Sequence, residues 1–467
     1  MQELSMNADE LVSALLTLSA SEQVCILDSC GVGHLGSHIL IAGIDPVESI
    51  EITNLNADET LKLLDEKFNS PLASIFTLSY DLGLKIIDFS SESSDTGPPL
   101  NEPDAFLARF DVLLVHDYDA GHTFLVGNEA KFSAIAKKLR SNISYFKFEI
   151  SNIQPSLYSN YTKADYISAV DEIKERIRSG DTYQTNLTQQ ITAQLPPDRT
   201  PATIFARLRR DHPAPFAAFI KRSDSTVISA SPERFFRIAP CTSPRVSKGE
   251  SRTNASTYKR ITTSPIKGTR KRGSTQVEDD ALRNELLSSE KDRAENTMIV
   301  DLLRNDLGRV CEYGSVEVEK LCDLEEHPSL FHLVSTVGGD LRPETTISDI
   351  LKAVFPCGSI TGAPKISTMK IISELEPSKR GLSMGAIGYS IPEGFEMEPA
   401  TDLSVAIRTM VIRDQTAIFN VGGGIVIDSD PECEYAETLT KALALQNAIG
   451  VAPGTQAPSP ATLVPPA

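Results

Sequence analysis

The chain has 467 residues, 40% of them hydrophobic and 6% aromatic, with no tryptophan and a formal net charge of −18. That length can bury more than one core, and the acidic balance excludes a protein held on nucleic-acid backbones by a basic face. No apolar run approaches the ~20 residues of a membrane-spanning helix, so we expect no nucleic-acid or membrane partner and a cytoplasmic location.

Met1 to Ala20 carries Glu3, Asp9 and Glu10 around its leucines and no basic stretch, which argues against a secretory leader. The seven cysteines are scattered without a C-x-x-C pair, as suits a reducing compartment. Val24 to Leu27 and His38 to Ile44 read as strands around the turn Gly31-Val32-Gly33-His34-Leu35-Gly36. This is formally a G-x-G-x-x-G, but a dinucleotide site needs a helix after the glycines, and an apolar strand follows instead. Residues 89–104 are a polar loop, and 150–162 read as a linker into a larger C-terminal part. A helix is predicted over about 163–179, with Ile167, Val170, Ile173 and Ile177 on one face and Gly180 as its stop. Residues 240–263 are Ser/Thr-rich and basic and read as a mobile insertion. One long helix is predicted over about 276–306, then strands near 330–340 and 384–391. Leu403 to Arg408 alternates, predicting a strand with one wet or functional face. A strand over Ala417 to Val421 and a helix over about 433–449 follow, and the Pro/Ala-rich tail 451–467 reads as disordered. Strands without regular β-α alternation predict an α+β fold with mainly antiparallel sheets.

Three features carry chemistry. Lys267 lies between Pro265 and Gly268, and in a closed pocket its amine could act as a nucleophile. Asp292 and Glu295 share one helix face, and Glu434, Glu437 and Lys441 share another. Two such faces either converge on a hard cation such as Mg²⁺ or are solvated surfaces with local pairs such as Glu437–Lys441. Gly358-Ser359-Ile360-Thr361-Gly362 precedes a helix with Pro364 in its first turn, and Gly422-Gly423-Gly424 ends a strand; both could present N–H groups to an anion or be simple tight turns. His332 could polarise a substrate hydroxyl or be hydrogen-bonded in the core, and Cys357, without a histidine at a recognisable spacing, reads as structural.

Over about residues 160–450 these segments together resemble the chorismate-utilising enzymes. The resemblance runs through Gly180-Asp181-Thr182-Tyr183-Gln184-Thr185-Asn186-Leu187-Thr188, Ser231-Pro232-Glu233-Arg234-Phe235, the Lys267 segment, Asp292 to Asp306, His332 to Val337, Gly358 to Lys365, Ala406 to Thr409 and Gly422 to Lys441. It implies a large two-subdomain α/β sandwich with flanking helices, an N-terminal subdomain at 1–150 and a chorismate-binding catalytic domain at 160–450. Relatives that use water as nucleophile have a lysine where Gln184 stands, and anthranilate-forming relatives have Ala where Lys267 stands. Pro-Ile-Lys-Gly-Thr and Tyr-Gln-x-Asn-Leu-Thr are similar to the branch that aminates C4 of chorismate on the para-aminobenzoate and folate route.

The resemblance then implies roles. Glu295 and Glu437 hold Mg²⁺ against the ring carboxylate, with Asp292 and Glu434 acting through waters. Glu233 is the general acid for the departing C4 hydroxyl, and Lys267 attacks C2 before ammonia adds at C4. Arg408, Tyr389, Lys441 and the backbone of Gly358, Ser359, Thr361, Gly362, Gly422, Gly423 and Gly424 hold carboxylates; Gln184, Thr269 and His332 line the substrate. No Gly-x-Cys-x-Gly glutaminase nucleophile is present, so ammonia comes from solution or a separate glutamine amidotransferase subunit. Leu27-Asp28-Ser29-Cys30 with Asp45-Pro46 resembles a segment where relatives bind tryptophan, which makes Ser29 a candidate contact. The insertion is longer than the compact pattern and is expected to loop out. An anthranilate-forming enzyme or a catalytically silent regulatory paralogue stays open, with Glu233, Lys267, Glu295 and Glu437 intact against silence.

Overall fold

Apolar runs such as Val24–Asp28 and Ile39–Ile44 show no polar face because both of their faces are covered. In the computed structural model, which describes residues 1–33, 38–89, 101–143, 150–241, 258–327 and 330–452, the strands pair into sheets of twelve and ten with antiparallel ladders. Leu40 and Ala42 face an outer layer with Leu11 and Leu15 of the helix Ala8–Leu18. Cys25 and Ile41 instead meet Ile75, Phe106 and Ile387 of the other sheet. The two sheets therefore stack face to face, and helices cover their outer faces. Among the described residues no helix is long and apolar enough to cross a membrane.

Both sheets draw strands from either side of residue 150. Val24–Asp28 pairs with Phe216–Lys221, and Ala73–Leu78 pairs with Ala386–Ile391. The segments 1–150 and 160–450 thus complete the same sandwich. Residues 150–162 are not a free linker, because Ser156–Ser159 pairs with Gln184–Gln194 and the buried Arg199 donates to the carbonyls of Ser151 and Ile153.

Several elements differ from expectation. The helix over 276–306 is two, Gln276–Ser288 and Glu290–Gly308. Ser289 adopts extended dihedrals (φ −66°, ψ 104°) and its hydroxyl accepts from the Asp292 N–H, so a capping serine restarts the helix. The insertion is shorter than 240–263, because Arg234–Cys241 and Tyr258–Ser264 form an antiparallel pair, with Cys241 opposite Tyr258. Residues 242–257, with Arg245, Lys248 and Arg252, lie outside the described residues, as do 34–37 of the glycine turn, 90–100 of the polar loop and 453–467 of the tail. The expected strand through Arg408 ends at Val405. Its Leu403 and Val405 enter the core, while Asp402 and Ser404 line a cavity between the sheets.

Candidate active site

The chain switches sheets at two neighbouring corners, and each corner carries a charged candidate. Between Thr226–Ser231 of the twelve-stranded sheet and Arg234–Cys241 of the ten-stranded sheet stands Glu233. Between Ala400–Val405 and Thr409–Arg413 the chain crosses back, with Arg408 at φ 48°. The corners are bonded together: the Ser231 hydroxyl donates to the Val405 carbonyl (2.6 Å), the Val405 N–H to the Glu233 carbonyl (3.0 Å), and the Ala230 N–H to the Arg408 carbonyl (3.0 Å). Burial lowers the Arg408 pKa, and among the described residues its guanidinium has no hydrogen bond or ion pair. A half-buried cation without a counter-ion suits an anionic ligand.

Lys267 sits in a β-bulge rather than a turn. The register between Ile266–Lys271 and Leu330–Asp340 shifts between Ile266 and Thr269, and Gly268 takes φ +84°. A Cβ on Gly268 would stand 3.0 Å from Asp292 and Leu286 side-chain atoms, so the glycine lets the bulge lie against the acidic helix. The Lys267 ammonium donates to the Ser359 carbonyl at 3.3 Å. Glu233 is 5% exposed, and its Oε1 has no hydrogen-bond partner. Burial raises the Glu233 pKa, against the opposing pull of a Ser359 hydrogen bond and the Lys267 charge. A carboxyl whose pKa is raised by burial is better suited to serve as a general acid.

The acidic side chains of the last helix gather over the glycine strand, and the two helices lie within each other's field. A Cβ built on Gly423 would lie 3.3 Å from Glu434 Oε2, 3.4 Å from Lys441 Nζ and 3.8 Å from Glu437 Oε1, so these side chains gather over the glycine strand. The Glu295 pKa is raised by burial, which outweighs Lys267 and Lys291; Asp292 and Glu434 push the same way. Burial also raises Glu434, whose Oε1 accepts from the Ser429 hydroxyl at 2.6 Å. At Glu437 burial works upward, but Lys441, at 2.7 Å, with Lys291 and Lys267 brings the pKa below the usual range. Lys267 thus acts on acids of both helices. Asp292 accepts from Arg270 Nη2 at 3.1 Å. Among the described residues no three His, Cys, Asp or Glu side chains stand close enough together to cage a metal by themselves.

Gln184 is fully buried with Oε1 unpartnered, and its Nε2 occupies the space a Cβ on Gly424 would need (2.2 Å). Gly362 (φ +142°) lies so close that a Cβ would come within 1.9 Å of the Gln184 carbonyl. Gly358–Ile360 is a single 3-10 turn, and Thr361 donates to the Cys357 carbonyl at 3.1 Å. Between these glycines and the helix Lys365–Leu375, Gly362–Ala363 pairs as a short strand, and Pro364 is the cap rather than part of the first turn. Thr269 and His332 are opposite in register, with Oγ1 2.8 Å from Nδ1. Ser429 and Arg270 were missed in the sequence; Ser429 stands five residues before Glu434 and Arg270 three after Lys267, with no motif to mark either.

A model of the chorismate binding enzyme family matches residues 22–447. The chain belongs to the chorismate-binding enzymes. It is 35% identical to aminodeoxychorismate synthase component 1 of Bacillus subtilis over 89% of this chain and 90% of that protein. It is 36% identical to anthranilate synthase component 1 of Aquifex aeolicus over 79% of this chain and 74% of that protein. Anthranilate synthase component I from Streptococcus pneumoniae superposes with a TM-score of 0.71 at 28% identity, covering 89% of this chain and 93% of that one. The protein is accordingly an enzyme of chorismate utilisation.

In this chorismate-binding enzyme one predicted contact is misplaced. Tyr389 lines the cavity between the sheets, with Ser29, Phe216, Asp402 and Ser404, rather than joining the glycine loops. Its strand Ala386–Ile391 sits beside Ala400–Val405 in the ten-stranded sheet, where Tyr389 pairs with Asp402. Burial and then Asp402 push its phenol pKa up. The cavity measures about 50 Å³, against roughly 300 Å³ or more for an ordinary small-ligand pocket. Ser29 Oγ is buried there without a hydrogen-bond partner, whereas Asp28 is bound by Arg209 Nε and the Tyr118 hydroxyl, each at 2.7 Å.

The Glu233 environment makes a pH prediction. Folding favours its protonated form, so the stability this group contributes is full below the unfolded-state pKa and is lost as pH rises through the folded one. A rate that needs the acid falls over the same rise, on a limb displaced above the ordinary carboxylate range. Glu233→Gln should lower turnover roughly 10²–10⁴-fold yet melt at a higher temperature than the parent at alkaline pH. Equal melting temperatures at all pH values would remove the buried-acid assignment.

Proposed function

We propose that the protein aminates chorismate at C4, giving 4-amino-4-deoxychorismate, as aminodeoxychorismate synthase component I. The observation that carries this is the bulge that sets Lys267 within the field of Glu233, whose Oε1 is unpartnered, and of Glu295 and Glu437. The Lys267 ammonium first gives one proton to solvent; its amine then bonds to C2, the ring double bonds shift, and the C4–O bond breaks. Glu233 gives its proton to the leaving hydroxyl, which departs as water. Ammonia then bonds to C4, the double bonds shift back and the C2–N bond breaks; the proton lost by nitrogen returns to Glu233. The sum is chorismate plus ammonia to aminodeoxychorismate plus water.

Arg408 would supply an uncompensated positive charge for a substrate carboxylate, and the backbone of Gly358–Gly362 and Gly422–Gly424 would offer N–H groups. The acid cluster fits Mg²⁺, which takes one or two carboxylates, several waters and a substrate anion and needs no cage of three side chains. Glu295 and Glu437 would hold it, Asp292 and Glu434 would orient its waters, and it would supply positive charge facing the ring carboxylate. Ammonia would come from a separate glutamine amidotransferase subunit, in the cytoplasm. Tryptophan at Ser29 would require the walls of the small cavity to move apart.

The test is product identity. The purified chain is incubated with chorismate, Mg²⁺ and ammonium, with and without an aminodeoxychorismate lyase, and products are separated and weighed by mass spectrometry. Lyase-dependent para-aminobenzoate is expected. Anthranilate formed without lyase would overturn the C4 assignment, and no product even at high ammonium would overturn catalysis by this chain alone.

A further inference from the structure

The edge of strand Gln184–Gln194 facing away from the glycine strand Thr416–Ile425 has a gap. Gly362–Ala363 covers Gln184 and Thr185, and Ser156–Ser159 covers Ile191 to Gln194. Between them the backbone of Asn186 to Gln190 has no partner strand, although it is buried and must satisfy its polar groups. Individual groups fill the gap. The Asn186 N–H donates to the Thr361 carbonyl (2.8 Å), and the Gln190 N–H to Asn160 Oδ1 (2.8 Å). The centre is filled by one ion pair, Glu376 and Arg380, which are 6% and 3% exposed.

Arg380 reaches Glu376 with two parallel bonds, Nε to Oε2 at 2.8 Å and Nη2 to Oε1 at 2.7 Å. Two further donors go to carbonyls, Nη2 to Asn186 at 2.7 Å and Nη1 to Ile360 at 3.2 Å. Glu376 Oε1 in turn accepts from the Thr188 N–H at 2.7 Å and the Thr188 hydroxyl at 2.9 Å. The guanidinium plane also lies over Tyr80, 4.5 Å from the ring centre. Asn186 and Thr188 stand opposite Gly424 and Gly422 in register. Ile360 closes the turn that begins at Gly358. One buried cation therefore ties the Gly358–Thr361 turn to strand Gln184–Gln194, which pairs with the Gly422–Gly424 backbone.

We propose that the Glu376–Arg380 pair is a positioning element for substrate recognition, setting the distance between the two glycine segments that receive the chorismate carboxylates. The inference rests on the reading of those segments as the carboxylate site. A buried pair of this kind is a poor source of net stability, since desolvation of both charges offsets their attraction. Its forked geometry, in contrast, holds two backbone segments in one register. Lysine keeps the charge but cannot bond Glu376 twice while also reaching both carbonyls.

The test compares the full chain with Arg380→Lys and Arg380→Gln. Chorismate consumption is followed with Mg²⁺ and ammonium, and kcat, the KM values for chorismate and ammonium, and the melting temperature are measured. Arg380→Gln should raise the KM for chorismate roughly tenfold or more, as loss of interactions made equally in ground and transition states does. Arg380→Lys should raise it less, with the KM for ammonium unchanged in both. A lowered melting temperature with an unchanged KM for chorismate would make the pair purely structural and overturn the proposal. If the glutamine variant fails to fold, the lysine variant decides by the same criterion. A parent chain that neither binds nor consumes chorismate would instead overturn the site reading itself, an outcome distinct from active variants with unaltered KM.

Discussion

Lys267→Ala should lower the proposed amination at C4 by about 10⁴-fold or more, as removal of a covalent nucleophile does, while chorismate should still bind in the presence of Mg²⁺. The separation of binding from turnover follows from the geometry. In the resting protein Lys267 donates to a loop carbonyl and acts on the Glu233 carboxyl, whereas Arg408 is a cation without a counter-ion among the described residues. Truncation removes a charge that pulls the pKa values of both Glu233 and Glu295 down, so both carboxyl groups should titrate higher in the variant. The measurement is single-turnover mass spectrometry of the intact protein with chorismate, beside calorimetric titration of chorismate. Turnover at the parent rate would sink the covalent route, and loss of chorismate binding along with turnover would turn Lys267 into a binding group.

The second large effect belongs to Glu295→Gln, which should lose Mg²⁺ binding and activity together. The side chain keeps its size and loses one charge at the place where burial, Asp292 and Glu434 already oppose ionisation. Removing even an indirect partner of a bound metal costs 10–100-fold in affinity, so a direct ligand should cost more than about 100-fold. Calorimetric titration of Mg²⁺ reads this without turnover. The sign on stability is opposite. The folded-state pKa is raised, so the stability this group contributes is present below its unfolded pKa and is lost as pH rises through the folded one. At neutral pH without metal the parent carries that cost and the glutamine variant does not, so the variant should melt higher. Retained Mg²⁺-dependent activity would move the metal site elsewhere.

Much of the fold was legible, element by element. The helix Lys163–Arg178 buries Val170 and Ile173 as its periodicity predicts, and Gly180 beyond it takes φ +84°. The strand at Ile39–Ile44 after the glycine turn justified rejecting a dinucleotide site. Misreadings came where local pattern and tertiary context separate. An unbroken helical pattern hid the break at Ser289, because serine is tolerated inside a helix and becomes a cap only when the chain turns there. The alternation in Leu403 to Arg408 continued past Val405, but the chain changes sheets and puts Arg408 in a left-handed conformation. Part of the basic stretch at 240–263 is strand, since Tyr258–Ser264 is paired on both of its edges, with Arg234–Cys241 and Leu330–Asp340.

By itself the sequence determined the chemistry available: an amine held by proline and glycine, two acidic helix faces, glycines at two strand ends, and the order of motifs that places the chain among the chorismate-binding enzymes. These are short-range properties, set by residue type and by spacings of three or four along a helix. Only the tertiary structure decided which groups meet. The corners that carry Glu233 and Arg408 come together because two crossings between sheets are bonded side by side. Tyr389 is taken away from the glycine loops because its strand lies over the cavity that Ser29 lines. Glu376 and Arg380 look like an ordinary i,i+4 pair on paper, and become a clamp because a gap in one sheet edge leaves the Thr188 N–H and the Asn186 carbonyl for them to reach. Proximity across nearly 200 residues follows from strand register and sheet closure, and no local spacing encodes either.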